Sequence, residues 1–399
     1  MSSGLLITPT IAATLADAVY GIREIGDVRR GTAERLGTVA PGIAGPMPMG
    51  AVETFDCFDL SGSAVAGQSG MGMLSSKTGF GMVVPGKGKH AGDVAVVCRG
   101  TAIGQDWLSN LNAALAIGPG GLPVHAGFCR VFNSMKDDID AALRGRNPTS
   151  IHVVGHSLGG AIANLFAMRF ALQKRANVCL YTFGAPRPGT SPFVARMQSE
   201  VPFGNVKRVY AMSDVVPMVP IWPFFHAPEN PGGLRVERGG HLLSISAHFM
   251  SNYKPAVFLR EWDQLASDSA GIDDKKSIDY WVDKASAAVP LSAPGLWALS
   301  KAMKGILYLI ERALGAVVTS GLTLLDTVAQ VIHKGITVIG DVVTSAVRRL
   351  ISGISHFLGR VMEVAGDITL GFLRYVLGLL FNVIAGFARR AIEGIRRGL

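Results

Sequence analysis

The apolar run Ile151-His152-Val153-Val154 stops at Gly155, and Gly160-Ala161-Ile162-Ala163-Asn164-Leu165-Phe166-Ala167 already reads as the start of a helix. Only His156, Ser157, Leu158 and Gly159 lie between. A chain that passes from strand to helix so abruptly needs glycine on both sides of the turn, because a Cβ there would meet backbone. Such a turn lifts one hydroxyl, that of Ser157, clear of the main chain. With 49 glycines in 399 residues, a bare Gly-x-Ser-x-Gly match says little by itself. Strand before and helix after give it weight; the bland reading is a tight turn with a solvent-facing Ser.

The surrounding pattern sets the fold class. From 51 to 268, apolar runs of strand length (Val52–Phe58, Met82–Val84, Val94–Cys98, Ile151–Val154, Val178–Phe183, Val206–Ala211) are separated by helical stretches (Val124–Leu143, Ala161–Gln173, Ser191–Glu200, Ile245–Tyr253). Strands alternating with helices predict an α/β domain on a central, mostly parallel sheet. Before it, residues 8–24 read as a helix, and the Gly- and Pro-rich stretch 37–50 as a loop or arm. After it, polar residues 269–294, with Asp273-Asp274-Lys275-Lys276, read as a linker.

From Gly295 to the end the character changes to an all-α amphipathic region. Apolar residues such as Ile306, Ile310, Ala313 and Val317 recur in steps of three and four. The longest uncharged run, Tyr375–Ala388, has 14 residues, short of the roughly 20 that a spanning helix needs. Interfacial helices, a bundle folded on itself or on the α/β domain, and helices that stay soluble in a bundle or with a chaperone before inserting all fit, as does self-association through 295–399.

Composition narrows the partners. Hydrophobic residues make up 49% and charged residues 17%, with a mean hydropathy of +0.34. So apolar a chain places its excess in a membrane, at a membrane surface or against a partner. Net charge is +9, but Lys and Arg are not clustered with aromatics, which speaks against nucleic acid and for anionic phospholipid. Cys57, Cys98, Cys129 and Cys179 show no metal-ligand spacing, so neither a metal nor any other cofactor is expected. Gly4-Leu5-Leu6-Ile7 is too short for a signal-peptide core, so no cleaved signal peptide is expected, and the chain would act on a membrane or leave by a signal-independent route.

A Ser hydroxyl is a weak nucleophile until a base takes its proton and a carboxylate fixes that base. In hydrolases with this turn the chain order is Ser, then acid, then His. Asp214 follows the run ending at Tyr210-Ala211, where a parallel sheet presents its C-terminal edge; a turn-capping Asp is the bland alternative. Three imidazoles follow, His226, His241 and His248, and His248, five residues before Tyr253, is favoured in part by its position and in part by a family resemblance. For the oxyanion, the backbone N–H of Leu158 is one expected donor, and Thr101, after the run Val94–Cys98, a second.

At this point the chain resembles the class 3 lipases, the fungal-lipase-like branch of the α/β-hydrolases. The matching residues are Arg99-Gly100-Thr101 with Asp106-Trp107, Val124-His125-Ala126-Gly127-Phe128, Gly155-His156-Ser157-Leu158-Gly159-Gly160, Tyr181-Thr182-Phe183-Gly184-Ala185-Pro186-Arg187, Asp214-Val215-Val216-Pro217, and His248 with Tyr253. The resemblance covers roughly residues 10–265. It implies an α/β-hydrolase fold, a Ser157–Asp214–His248 triad, an oxyanion hole of Thr101 and Leu158, and a lid around Trp107, Leu108 and Leu111. It also implies a lipid-ester substrate, as for a lipase or phospholipase. Cys98 stands where the family has an aromatic, and Trp222–Gly233 is Pro-rich, which leaves the choice of substrate open. A membrane-active helical protein with a secondary hydrolase domain and a soluble carboxylesterase are the rival readings.

Overall fold

The computed structural model describes residues 5–22, 51–60, 62–69, 76–100, 115–229, 232–236, 241–270, 277–315, 323–362 and 366–397. Thr101, Trp107, Leu108, Leu111 and the arm 37–50 lie outside them.

The scaffold is a seven-stranded sheet made of β1 (Ser63–Ser69), β2 (Ser76–Pro85), β3 (Val94–Cys98), β6 (Ser150–His156), β7 (Asn177–Phe183), β8 (Val206–Tyr210) and β9 (Leu234–Arg235), in that spatial order. The strands β4 (Leu115–Ile117) and β5 (Pro123–His125) form a separate small ribbon. Pairing is antiparallel across β1, β2 and β3 and parallel from β3 to β9, as the α/β pattern predicts. Every residue of β3 and β6 is buried, as expected for strands covered on both faces.

Helices α3 (Ala126–Leu143) and α4 (Leu158–Gln173) cover one face of the sheet and α1 (Pro9–Ala18) the other. The α1 segment is anchored at both ends: Trp262 Nε1 donates to the Ile7 carbonyl at 2.8 Å, and Lys254 pairs with Asp17 at 2.9 Å. Around it lie α6 (Met250–Val257) and α7 (Trp262–Ser269); α5 (Ser191–Glu200) precedes β8.

Two expectations are corrected. Val52–Phe58, read as a strand, is largely the helix α2 (Ala51–Cys57). Thr54, Cys57 and Phe58 are buried at helical spacing, and Glu53 accepts a hydrogen bond from Thr8 Oγ1 at 3.1 Å, so the packing against α1 overrides the β-rich composition. The stretch 269–294, read as a linker, contains α8 (Ile278–Ser286). Ser277 caps it by accepting from the Tyr280 N–H at 3.1 Å, Val282 and Ala285 are buried, and Asp279 and Asp283 pair with Arg349.

The C-terminal third forms four helices: α9 (Ala293–Leu314), α10 (Leu324–Ile339), α11 (Asp341–Leu358) and α12 (Leu370–Arg397). Their buried stripes belong to the same apolar cluster that fills the α3/α4 face of the sheet, so the bundle and the sheet share one core. Leu370–Ile395 is long and apolar enough to cross a bilayer by length and composition, with a mean hydropathy of 1.8 in its most apolar stretch. Here Leu373, Leu377, Leu380, Ile384 and Ala388 are buried along it as a packed stripe.

The bundle also rests on loops at the C-terminal edge of the sheet. Trp297 Nε1 in α9 donates to the Met212 carbonyl at 3.1 Å, and the Ala293 N–H donates to the His241 carbonyl at 2.7 Å. Gly394 of α12 lies against Phe249, so closely that a Cβ would fall 2.5 Å from the ring.

Candidate active site

Ser157 stands between β6 and α4 with φ +57°, a left-handed conformation that costs a non-glycine residue about 1–2 kcal/mol. The turn survives because its surroundings determine it. Ser157 N–H donates to the Phe183 carbonyl at 3.0 Å, and Gly160 N–H to the Ser157 carbonyl at 2.9 Å. A Cβ at Gly155 would lie 2.3 Å from the Gly159 carbonyl oxygen, and one at Gly159 2.1 Å from that of Cys98. The expected glycines are therefore required by close backbone approach.

The three residues expected to form a triad converge. His248 Nε2 lies 2.8 Å from Ser157 Oγ, and His248 Nδ1 lies 2.8 Å from Asp214 Oδ2. All three are buried. Asp214 Oδ1 accepts from the Val216 N–H at 2.9 Å, and Oδ2 also accepts from the Tyr253 hydroxyl at 2.7 Å. With Nδ1–H committed to the carboxylate, the lone pair on Nε2 faces the serine hydroxyl, the tautomer a general base requires. Burial and the neighbouring Asp214 carboxylate hold the Tyr253 phenol well above its ordinary pKa, so it acts as a neutral donor.

Leu158 is the first residue of α4. N–H groups at a helix start have no partner within the helix and lie at its positive end, which suits an oxyanion. The second expected donor, Thr101, and the expected lid residues Trp107, Leu108 and Leu111 lie outside the described residues. The other candidate bases are placed elsewhere. His226 Nε2 donates to the Pro217 carbonyl at 2.7 Å, and His241 is exposed.

Three supporting residues carry no assigned role at the level of sequence. His156 Nε2–H donates to the His248 carbonyl at 2.7 Å, while its Nδ1 accepts from the Tyr20 hydroxyl at 2.7 Å. Its ring lies 4.8 Å from that of His248. Gly184, at φ +55°, leaves the space that the Asp214–His248 pair occupies. Only the position of His156 beside the serine hints at such a role. Tyr20→Phe removes the hydroxyl that fixes the His156 ring, and kcat is expected to fall about tenfold with KM little changed, the scale of removing one buried hydrogen bond. Unchanged kcat would show that the His156 ring needs no such anchor.

Buried imidazoles also set a pH dependence. Burial pushes His125 down to about 3, with Arg130 adding to it. His226 is pushed well below its ordinary value by burial, then by Arg208 and Arg187, and burial lowers His90. These groups stay neutral in the fold but take protons in the unfolded chain below about pH 6.5. The unfolded state then binds more protons, so stability is full above that pH and declines as pH falls toward about 3. Urea midpoints are expected to be lower at pH 5 than at pH 7.5; equal midpoints contradict this account.

Metal-ligand geometry occurs once among the described residues, at His90, Asp93 and His152, all buried. His90 Nδ1 and His152 Nε2 both approach Asp93 Oδ2, at 3.0 and 3.3 Å, and Asp93 Oδ1 accepts from the Ser150 N–H at 3.0 Å. Two imidazole N–H donors on one carboxylate account for these distances without an ion. The triad shares none of these residues.

Residues 95–224 match the family model for lipase (class 3). That stretch holds Ser157 and Asp214, whereas His248 lies beyond it. A chloroplastic phospholipase A(1), DAD1 of Arabidopsis thaliana, is 32% identical over 152 residues, covering 32% of this chain and 34% of that protein. A secreted mono- and diacylglycerol lipase of Fusarium solani is 31% identical over 168 residues, covering 40% of this chain and 48% of that protein. The chain thus spans a third to a half of the length of these curated relatives. A solved mono- and diacylglycerol lipase from Aspergillus oryzae is similar at 16% identity with a TM-score of 0.42, covering 64% of this chain and 97% of that one.

Proposed function

We propose that the chain hydrolyses lipid esters through an acyl-enzyme on Ser157. One observation carries the reading: a buried imidazole bridges a hydroxyl at 2.8 Å and a carboxylate at 2.8 Å, with the hydroxyl on a strained strand–helix turn. Ser157 Oγ attacks the ester carbonyl carbon as its proton passes to His248 Nε2, and Asp214 steadies the resulting imidazolium. The negative charge that develops on the carbonyl oxygen is met by the Leu158 N–H at the start of α4. Collapse expels the alcohol, which takes the proton from His248, and leaves the acyl group on Ser157. Water then attacks that acyl carbon, His248 accepts and returns the proton, and a carboxylic acid leaves. No step needs a metal.

The lipid class is supported by the matched relatives, named as a phospholipase A(1) and a mono- and diacylglycerol lipase, and by the apolar helical bundle. Phospholipid membrane is the proposed setting, on the strength of the net charge of +9 and the length and apolarity of α12. The test is product analysis by mass spectrometry after incubation with vesicles containing phospholipids and mono- and diacylglycerols. Free fatty acid with matching lysolipid or glycerol product is expected. A protein that is labelled by an active-site phosphonate yet releases fatty acid from none of these lipids, while cleaving short soluble esters, would favour the soluble carboxylesterase reading.

A further inference from the structure

His248 sits at the end of a loop, residues 241–249, that closes in the short turn Ser246–His248. So little regular structure cannot fix an imidazole by itself, and the loop is tied down from outside. Near the acid, Ser244 N–H donates to the Ser213 carbonyl at 3.0 Å. On the bundle side, Leu243 N–H donates to the Leu291 carbonyl at 3.1 Å, and the His241 carbonyl accepts from the Ala293 N–H at 2.7 Å. Leu291 N–H in turn donates to the Phe357 carbonyl of α11 at 3.0 Å. Residues 291–293 are thus a strap between α11 and the loop, and Leu291 is held there at a strained φ of +50°.

The far end of the same loop meets α12. A Cβ at Gly394 would fall 2.5 Å and 2.9 Å from Cζ and Cε1 of Phe249, the residue after His248, and 3.7 Å from Ile245 Cγ2. Both neighbours bear on the base. His248 N–H donates to the Ile245 carbonyl at 3.2 Å. The Phe249 carbonyl accepts at 3.2 Å from the N–H of Tyr253, whose hydroxyl holds Asp214. Gly394 lies inside a helix and is not left-handed, so its backbone does not need glycine, and alanine would favour the helix. What glycine supplies is the close approach of α12 to Phe249.

We infer that the C-terminal bundle positions the catalytic base, with Gly394 and the strap 291–293 as positioning residues that act through Phe249 and Leu243. The inference rests on the triad reading above. The stretch 95–224 that matches the lipase family ends before His248, so this support for the base comes from residues outside it. An imidazole must stay in line between hydroxyl and carboxylate to move a proton, and a displacement near 1 Å costs about 10²-fold. A leucine at position 394 needs the space that the Phe249 ring fills. Either the ring leaves or α12 draws back, and both release the loop that carries His248.

The test uses the full chain and a short soluble ester, with active sites counted by phosphonate at complete labelling. Gly394→Leu is expected to lower kcat per labelled site about tenfold with KM little changed. Phe249→Ala, which removes the ring from the other side of the contact, is expected to lower it by a similar factor. Combining the two moves bulk across the contact, and Phe249→Ala/Gly394→Leu is expected to return to within about threefold of the wild type. A contact that serves stability alone gives another pattern: Tm falls in the single variants, while kcat per labelled site stays at the wild-type level throughout. That pattern overturns the inference, as does a double variant no faster than the single ones. Should Gly394→Leu fail to fold, Gly394→Ala carries the smaller clash; a loss of about threefold is expected, and wild-type kcat overturns the inference. Failure of the triad reading looks different: a wild type that takes no phosphonate and cleaves no ester removes the premise, and the inference falls with it.

Discussion

Ser157→Ala is expected to lower kcat for ester hydrolysis by on the order of 10⁶-fold, the scale of losing a triad nucleophile. Labelling by an active-site phosphonate should vanish with it. The fold should persist, because the hydroxyl bonds to His248 Nε2 and the backbone contacts of the turn do not involve Oγ. A companion change separates chemistry from strain. Ser157→Gly is equally inactive, yet it relieves a φ of +57° and should be more stable than Ser157→Ala by about 1 kcal/mol, read as a higher Tm. Activity near the wild-type level in either variant would mean that some other group attacks the ester, and the mechanism would fall.

The triad is legible in the sequence because its chemistry obeys chain-order and strand-end rules. Ser157 sits between an apolar run and a helix, and Asp214 follows a strand. What the residues alone do not supply is the choice among His226, His241 and His248 by geometry, since that depends on how loops distant in the chain meet. His226 is drawn off by the Pro217 carbonyl. Tyr253 is visible as an aromatic near His248, but its bond to Asp214 is not. Tyr20 reaches the site from just beyond the end of α1, 136 residues from His156. No periodicity encodes such an approach.

The two corrected elements share a cause. In α2 and just past its end, Thr54, Cys57 and Phe58 are buried at helical spacing in a segment rich in β-favouring residues, so composition and period disagree and tertiary packing decides. Beside α8 the charge cluster Asp273–Lys276 has the composition of a linker, although Val282 and Ala285 already mark an apolar face. β1 carries Ser63-Ala64-Val65-Ala66-Gly67, too few large apolar residues to signal a strand. The fate of the C-terminal helices stays open in the sequence because amphipathic stripes serve a bundle or a bilayer equally. Their apolar stripes pack into the core shared with the sheet, and the same helices seat the Met212 and Phe249 neighbourhoods that lead into Asp214 and His248.

Gly184→Ala is expected to damage catalysis strongly by disturbing the acid and the base while leaving the nucleophile turn alone. The residue precedes Ala185-Pro186 at the end of β7, where its N–H donates to the Val209 carbonyl at 3.0 Å. An added Cβ would lie 2.7 Å from Asp214 Oδ2, 3.0 Å from the Tyr253 hydroxyl and 3.1 Å from His248 Nδ1. Nothing there can yield without cost. Asp214 is held on its other oxygen by the Val216 N–H, and Tyr253 by the Ala211 N–H. The φ of +55° adds about 1–2 kcal/mol of strain for any side chain. A shift of the acid or base of even a few tenths of an ångström loosens the bridge to Ser157, and a displacement near 1 Å costs about 10²-fold. kcat should therefore fall about 10²-fold while KM changes little, Tm should drop by several degrees, and phosphonate labelling should slow in parallel with turnover. Ser157 itself is untouched, so slow labelling would trace to the base. Wild-type kcat in a folded Gly184→Ala protein would show that the close packing around Asp214 and His248 is not what holds the imidazole in its working position.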